Sequence, residues 1–318
     1  MTGSELLLAS GLDALIGDPR WMPHPVRGMG RLIAWCDDRV RGLCRGAVGL
    51  RIAGFCLAVG LPSLVYVVGY AAINVAEGLA GWFGSALSII LAATTLAGRD
   101  LWDHARVVNE QLLQHQLPSA RRAVAMIVGR DTGQLSESGV VRATVETVAE
   151  STADGVIAPL FYLAVGGAPL ALAYKAVNTL DSMVGHRDER YIDFGWASAR
   201  LDDVMNWIPA RLTAMLFVLA AGPVTGTSHR MVNGWHMLWR DGGNHPSPNS
   251  GRPEAAMAGV LGVQLGGRNY YDGIPHDRLL IGDASRELVV ADIAVATQMM
   301  VVASLLGAAT AVGVRWLV

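Results

Sequence analysis

Residues Ile52–Ala76, reading IAGFCLAVGLPSLVYVVGYAAINVA, contain no Asp, Glu, Lys or Arg over 25 positions. At 1.5 Å per residue such a helix is about 37 Å long, enough to cross a hydrocarbon layer about 30 Å thick. One charge at the bilayer centre costs about 2.5–3.5 kcal/mol on insertion scales, so charge-free runs of this length are selected rather than accidental. Four more follow: Gly78–Gly98, Gly155–Tyr174, Leu212–Ser228 and Ile293–Val314. A soluble protein would have to bury all five in one core. The pattern predicts instead an all-α, polytopic integral membrane protein, a single membrane-embedded domain over residues 1–318. Its cytosolic helical and loop regions would be about 99–154 and 229–292.

Composition agrees. Hydrophobic residues make up 52 % of the chain and charged residues 16 %, against about 25 % charged in soluble domains. The net charge of −2 leaves no basic excess to neutralise phosphates, which excludes bulk nucleic-acid binding. Cys36, Cys44 and Cys56 form no CxxC pair, and neither a disulfide framework nor a zinc site is expected. The Leu6–Ile16 run has no basic flank and is too short to span; it reads as a buried or re-entrant helix.

The first two runs are joined near Glu77–Gly81 without a Lys or Arg, as in a helical hairpin. Arg20, Arg27, Arg31, Arg39, Arg41, Arg45 and Arg51 precede it; Arg99, Arg106, Arg121, Arg122, Arg130 and Arg142 follow. The positive-inside rule puts both flanks in the cytosol. Two full crossings by Gly155–Tyr174 and Leu212–Ser228 would place Lys175, Arg187, Arg190, Arg200 and Arg211 outside. Pro159, Pro169 and Pro223 interrupt those runs, and broken helices are tolerated at membrane depth where protein or a cavity surrounds them. Both runs are therefore expected to be broken or re-entrant, keeping Lys175–Arg211 cytosolic. In the first polar region Leu101, Ala105, Val108 and Leu112 recur at helical spacing. The second, rich in Gly, Pro, Asn and Asp, reads as structured loop.

The chemistry concentrates between Gly129 and Arg211. Arg142, Glu146, Glu150 and Asp154 are four apart and share one helix face. Such carboxylates suit Mg²⁺ with phosphate oxygens; a solvated face with one ion pair is the alternative. In Gly129-Arg-Asp-Thr, Arg130 suits a carboxylate or phosphate, whereas Asp131 and Thr132 also read as helix caps. Lys175, Asn178, Asp181 and Ser182 share a face suited to phosphate or carboxylate, although a lysine at a membrane border often snorkels. In Arg200-Leu-Asp-Asp-Val-Met-Asn, Asp202 or Asp203 near Asn206 offers a second Mg²⁺ position, and Arg211 closes the segment. Ser247, Asn249, Ser250 and Arg252 precede a helix start, with Pro253 and Glu254 in its first turn, where free N–H groups hold anions. Asp18, Arg20 and His24 sit in a proline-fixed loop. No P-loop, HExxH, GxSxG or dinucleotide motif is present. The runs themselves lack ionisable residues, which weakens a proton-coupled transporter.

These residues resemble a family. Gly129-Arg-Asp-Thr, Arg142-Ala-Thr-Val-Glu-Thr-Val-Ala-Glu-Ser-Thr-Ala-Asp-Gly, Tyr174-Lys-Ala-Val-Asn-Thr-Leu-Asp-Ser-Met-Val-Gly, Ala199-Arg-Leu-Asp-Asp, Gly17-Asp-Pro with His24-Pro-Val, and Ser247-Pro-Asn-Ser-Gly-Arg-Pro-Glu look like the cobalamin biosynthesis proteins CobD/CbiB. Ser151 stands where that family usually has Asn, and His186 where it usually has Tyr. The resemblance implies adenosylcobinamide-phosphate synthase: ATP and Mg²⁺ drive amide formation between (R)-1-aminopropan-2-ol, or its O-phosphate, and a propionate carboxyl of adenosylcobyric acid. It further implies a cell inner membrane location, a site facing the cytoplasm, membrane lipid as surroundings, and other late corrinoid-pathway enzymes as partners.

A carboxylate has no leaving group, so phosphorylation to an acyl phosphate would make it reactive toward an amine. Phosphoryl transfer needs cationic clamps, and the amine needs a base. Glu146, Glu150 and Lys175 are the expected catalytic residues. Glu150, Asp154, Asp202 and Asp203 are expected at Mg²⁺. Arg130, Asp131, Thr132, Arg142, Asn178, Asp181, Ser182, Arg200, Arg211, Ser247, Asn249, Ser250 and Arg252 are expected at substrate or phosphate, all in one pocket against the inner leaflet. Phe161, Tyr162 and Tyr191 would wall the corrinoid, and no His is assigned to cobalt. A corrinoid transporter is the rival reading, and a scaffold for soluble pathway enzymes a third.

Overall fold

The computed structural model describes every residue except Arg20, Met22, Pro23, Arg45, Arg187 and Val318. Arg20, the candidate beside Asp18 and His24, therefore lies outside the described residues, as do Arg45 and Arg187. In chain order the elements are α1 (Gly3–Ile16), α2 (Pro25–Leu43), α3 (Ala47–Leu79), α4 (Gly81–Ala93), α5 (Gly98–Leu113), α6 (Leu117–Val124) and α7 (Glu137–Thr152). A π turn (Ala153–Ile157) leads into α8 (Ala158–Val184), α9 (Trp196–Met205), α10 (Trp207–Thr225), α11 (Ser228–Asp241) and α12 (Gly251–Leu261). Strands β1 (Leu265–Tyr271) and β2 (Ile274–Ile281) precede α13 (Ala291–Leu317).

Among the described residues, five helical stretches are long and apolar enough to cross a membrane: Ala47–Leu79, Gly81–Leu113, Glu137–Val184, Trp207–Thr225 and Ala291–Leu317. Three of the five charge-free runs lie wholly within them; Gly78–Gly98 begins three residues before the second stretch and Leu212–Ser228 ends three residues after the fourth. The outer face of α3 exposes Ile52, Phe55, Val59, Leu64, Val67 and Val68, an apolar surface that lipid solvates and water does not. The protein is an all-α, multi-pass membrane protein carrying one small β-hairpin.

Two of the apolar stretches are interrupted, only one of them where expected. In Gly155–Tyr174 the π turn is followed by Gly167 at φ 69°, ψ −166°, a conformation essentially reserved for glycine. Pro169, two residues on, lacks the N–H that would continue the ladder. In Gly81–Leu113 the break is at Thr94–Ala97, where the hydroxyls of Thr94 and Thr95 donate to the carbonyls of Leu91 (2.8 Å) and Ala92 (2.7 Å). By contrast, α10 runs unbroken through Leu212–Thr225, correcting the expectation of a broken helix there. Its Pro209 lies in the first turn, where no N–H partner is needed, and Pro223 lies in the last, where the helix is ending.

The chain forms two compact units, each assembled from separated segments. The first comprises residues 1–97, 158–206 and 308–318. In it, Thr2 and Glu5 close a capping box on α1, and α2, α3 and α8 share a core of Met29, Ile33, Leu61, Leu172, Ala176, Leu180 and Val184 with Phe194. Asp37, 6 % exposed at its side chain, accepts from Arg41 Nε (2.7 Å), Arg190 Nη2 (2.8 Å) and the Tyr191 hydroxyl (3.2 Å).

The second unit comprises residues 98–157 and 207–307. Leu101, Ala105, Val108 and Leu112 form the buried face of α5, as their spacing predicts. The polar region expected as loop instead contains α11, α12 and the hairpin. Gly262 at φ 71° ends α12 in the left-handed conformation. Asp272 (φ 51°) and Gly273 (φ 77°) make a two-residue turn between the antiparallel strands, the geometry that suits right-twisted strands. A register shift between Leu265 and Gly267 leaves Gly266 outside the ladder.

Candidate functional site

In the second unit the bulge at Gly266 determines what α7 can hold. Freed from the ladder, the Gly266 N–H donates to Glu146 Oε1 (2.8 Å), and its carbonyl accepts from Arg142 Nη1. Arg142 Nη2 also donates to the Arg268 carbonyl (2.9 Å) and to Asn269 Oδ1 (3.1 Å). Arg130 forms a direct ion pair with Glu146 and donates to Asn269 Oδ1 (2.7 Å). Glu146 is 2 % exposed, so this stripe is not a solvated face. Arg142 Nε lies 3.9 Å from Glu146 Oε1, so Arg130 is the closer counter-charge. One turn on, Glu150 Oε1 accepts from the Ser250 hydroxyl (2.7 Å). Asp154 falls within the π turn, where the helix leaves the 3.6-residue register that aligned it with the stripe.

Three residues that sequence reasoning did not assign complete this cluster. Arg278 on β2 places Nη1 3.1 Å from His245 Nε2 and donates through Nη2 to the Tyr271 hydroxyl (2.7 Å). His245 Nδ1 accepts from the Ser247 N–H (3.0 Å), and burial lowers its affinity for a proton. Glu254, 1 % exposed, is pushed well above the usual carboxylate range by burial and by Glu146 and Glu150. Burial and these neighbours favour its neutral form. Among the described residues its Oε1 has no hydrogen-bond partner, and it lies 3.9 Å from His245 Nε2. Arg142 Nε and Asn269 Nδ2 are also buried without partners.

The remaining candidates of this unit have other local roles. Asp131 and Thr132 do not cap α7; Ser136 does, accepting from the Gly139 N–H (3.1 Å), because the chain turns once more before the helix begins. Asp131 Oδ2 instead holds the hairpin turn through the Gly273 N–H (2.7 Å), and Thr132 is buried. Ser247 Oγ takes the N–H groups of Asn249 (3.2 Å) and Ser250 (3.3 Å), so those two donors at the start of α12 are already used. Arg252 keeps a buried, unpartnered Nε. Arg211 donates to the Trp207 carbonyl (2.7 Å) and stacks 4.1 Å above the Trp207 ring.

The first unit gathers the other candidates. Asp202 on α9 accepts from Asn206 Nδ2 (3.0 Å) at Oδ2, and Asn206 Oδ1 accepts from the Tyr174 hydroxyl (2.8 Å). Burial and the charge of Asp181 push Asp202 up to about 7, opposed by hydrogen bonds from Asn206 and Asn178. Asp202 Oδ1 is buried with no hydrogen bond among the described residues. Arg200 pairs with Asp203 (3.6 Å). Lys175 is half-buried one turn before Asn178, and the Ser182 hydroxyl is spent on the Asn178 carbonyl (2.8 Å). Tyr162 stacks on Tyr174 with ring centres 4.9 Å apart, and Phe161 meets Tyr162 edge-on at 5.1 Å. Tyr191 belongs instead to the Asp37 network. His24 Nε2 and Asp18 Oδ1 lie 2.9 Å apart.

No group of three or more His, Cys, Asp or Glu among the described residues is arranged to hold a metal unaided. The Asp181–Asp202 pair does fit a divalent ion that brings phosphate oxygens and water of its own. Two repelling carboxylates, an orphaned buried oxygen and a neighbouring amide make a hard-oxygen donor set.

A profile of the family described as "CobD/Cbib protein" matches residues 6–300. The chain belongs to the CobD/CbiB family. It is 50 % identical over 286 residues to the cobalamin biosynthesis protein CobD of Geobacter metallireducens, covering 90 % of this chain and 88 % of that protein. It is 47 % identical over 318 residues to the cobalamin biosynthesis protein CbiB of Salmonella typhimurium, covering 99 % and 98 %. No solved structure matches. Within this CobD/CbiB chain, His245 and Glu254 were visible in the segment His245–Glu254 only as a turn and a helix start. Asn269, Tyr271 and Arg278 carried no signal, because their roles depend on a hairpin the composition disguised as loop.

Proposed function

We propose that this chain is an enzyme of cobalamin biosynthesis that joins (R)-1-aminopropan-2-ol, or its O-phosphate, to a propionate carboxyl of adenosylcobyric acid at the expense of ATP. The names of its relatives support the pathway. The observation that carries the chemistry is the buried cluster of Arg130, Arg142, Arg278, Glu146, Glu150, Glu254 and His245 in the second unit. Three guanidinium groups face Glu146, Glu150 and a Glu254 whose neutral form burial favours, an arrangement that suits an anionic substrate.

The reaction balances as follows. Carboxylate attacks the terminal phosphorus of ATP, giving acyl phosphate and ADP. The ammonium of the second substrate gives up a proton, the free amine attacks the acyl carbon, and phosphate leaves as the amide forms. Glu150, whose Oε1 accepts from the Ser250 hydroxyl, takes the amine proton. Arg130 and Glu146 hold the hairpin on α7 and so fix the position of Arg278. Asp202, with Asp181 and Asn178 in the first unit, would hold Mg²⁺, an ion that would supply charge neutralisation to phosphate oxygens. The chemistry would take place on the cytoplasmic side of the cell inner membrane, where ATP is available, and Lys175 would offer a cation to phosphate within the first unit.

The test is the full chain in lipid nanodiscs with adenosylcobyric acid, the amine or its phosphate, and MgATP. Amide product with one ADP per amide is expected, and hydroxylamine should trap the activated carboxyl. Glu150→Gln should abolish product at unchanged protein abundance. Corrinoid movement into vesicles without amide formation would favour a transporter and overturn this reading.

A further inference from the structure

Around His245 the hydrogen bonds do not close. Its Nδ1 is occupied as an acceptor by the Ser247 N–H, so the neutral ring carries its proton on Nε2. That N–H faces Arg278 Nη1 at 3.1 Å, and a guanidinium nitrogen has no lone pair to offer. Two donors thus meet with no acceptor between them. On the other side, 3.9 Å away, stands Glu254 Oε1, buried and without a partner. Glu254 is surrounded by Glu146 and Glu150 from α7, Arg130 from the preceding loop, Arg278 from β2 and His245 from the loop before α12. A third carboxylate anion beside Glu146 and Glu150 would be repelled; a carboxylic acid is not, and it donates. A buried acid held neutral so that it can donate is an established device for stabilising an oxyanion.

We propose that His245, Arg278 and Glu254 together seat a phosphoryl oxygen, all three acting as hydrogen-bond donors to it. An oxygen placed among them would accept from Nε2–H, Nη1–H and the Glu254 hydroxyl, satisfying the three groups that face one another here. The inference deepens the ligase reading and rests on it for which phosphate is meant: the group transferred from the nucleotide to the carboxyl. Glu254 and His245 become binding residues of that step, and Glu150, bound to Ser250, remains the base.

The experiment measures binding alone, by calorimetry on the full chain in nanodiscs without Mg²⁺. Pyrophosphate, a non-hydrolysable ATP analogue and acetate are the probes. Pyrophosphate and the analogue should bind the wild type; tighter binding of the analogue assigns the nucleotide as source, and equal binding assigns free phosphate. Arg278→Gln and His245→Phe should each weaken both at least tenfold, one charge-assisted or buried donor being lost. Glu254→Gln keeps a donor and the resting charge, so it should bind within about threefold of wild type. Glu254→Leu should lose binding while its melting temperature stays near that of the Gln variant. The proposal is overturned if Arg278→Gln and His245→Phe bind like wild type. It is also overturned if Glu254→Gln tightens binding tenfold, the mark of an ionised Glu254, or if acetate binds as well as pyrophosphate. Product formation without such binding sinks the anion seat alone; binding without product sinks the ligase reading alone.

Discussion

Glu146→Gln removes one charge from a pair that has almost no water around it. The side chains of Glu146 and Arg130 are 2 % and 6 % exposed. Gln keeps the shape and still accepts from the Gly266 N–H, but its amide presents N–H groups to a guanidinium that also presents N–H groups. Arg130 then retains only Asn269 Oδ1 at 2.7 Å, a neutral acceptor already shared with Arg142. Removing one partner of a buried ion pair typically costs about 3–5 kcal/mol. With each kcal/mol worth about 2–4 °C for a domain of 150–250 residues, the melting temperature should fall by roughly 6–20 °C. Thermal unfolding of the full chain in nanodiscs, followed by fluorescence of its 9 Trp, measures the shift. The double variant Arg130→Met/Glu146→Leu should recover much of the loss, because replacing both charges by apolar groups is often nearly neutral. A Glu146→Gln melt within 2 °C of wild type, or a double variant no better than the sum of its singles, refutes the buried-pair argument.

Three further outcomes follow from the first unit. Asp202 is raised to about 7 from an unfolded value near 3.9, so stability declines as pH rises from about 4 to about 7 and stays lowered above; Asp202→Asn should melt higher than wild type at pH 8 and alike at pH 4. Mg²⁺ should raise the wild-type melt at pH 8 and leave that variant unmoved, and an equal response would remove Asp202 from the ion. Gly167→Ala forces a Cβ into φ 69°, ψ −166° and should cost about 1–3 kcal/mol, seen as a lower melting temperature; an unchanged melt would mean that α8 is not kinked there. A cysteine replacing the exposed Ser182 should react with a membrane-impermeant thiol reagent in inverted vesicles and not in intact cells, and the opposite pattern reverses the orientation of the Lys175–Arg211 segment.

What was legible in the sequence divides by the range of the forces involved. The charge-free runs and the α5 stripe Leu101, Ala105, Val108 and Leu112 depend on local composition and a 3.6-residue period, and both are recognisable as helix in the structure. The proximity of Arg142, Glu146 and Glu150 was legible for the same reason. The Arg130–Glu146 pair was not, because it spans a loop and depends on a bulge that frees Gly266. Nor was the role of Arg278, set by the register of a hairpin whose only marker is Asp272-Gly273. Proline misled at α10, where its effect depends on position in the helix rather than on presence. At Thr94–Ala97 the helix breaks without any proline, through hydroxyls that cap the carbonyls of the turn before.

Buried charge alone does not mark a site, and the Asp37 network shows why. Asp37 is as buried as the candidate carboxylates, yet Arg41, Arg190 and Tyr191 occupy both of its oxygens; it ties α2 to the segment before α9 and needs no further role. Glu254 Oε1, Asp202 Oδ1 and Arg142 Nε are different, each buried and open. An unsatisfied buried polar atom costs about 1–3 kcal/mol, and an apolar side chain of similar volume would remove that penalty. A chain under selection for folding alone would lose such atoms, as its five apolar runs have lost their charges. Retaining them beside Arg278 and His245, and beside Asp181, is the pattern expected where a ligand supplies the missing partner.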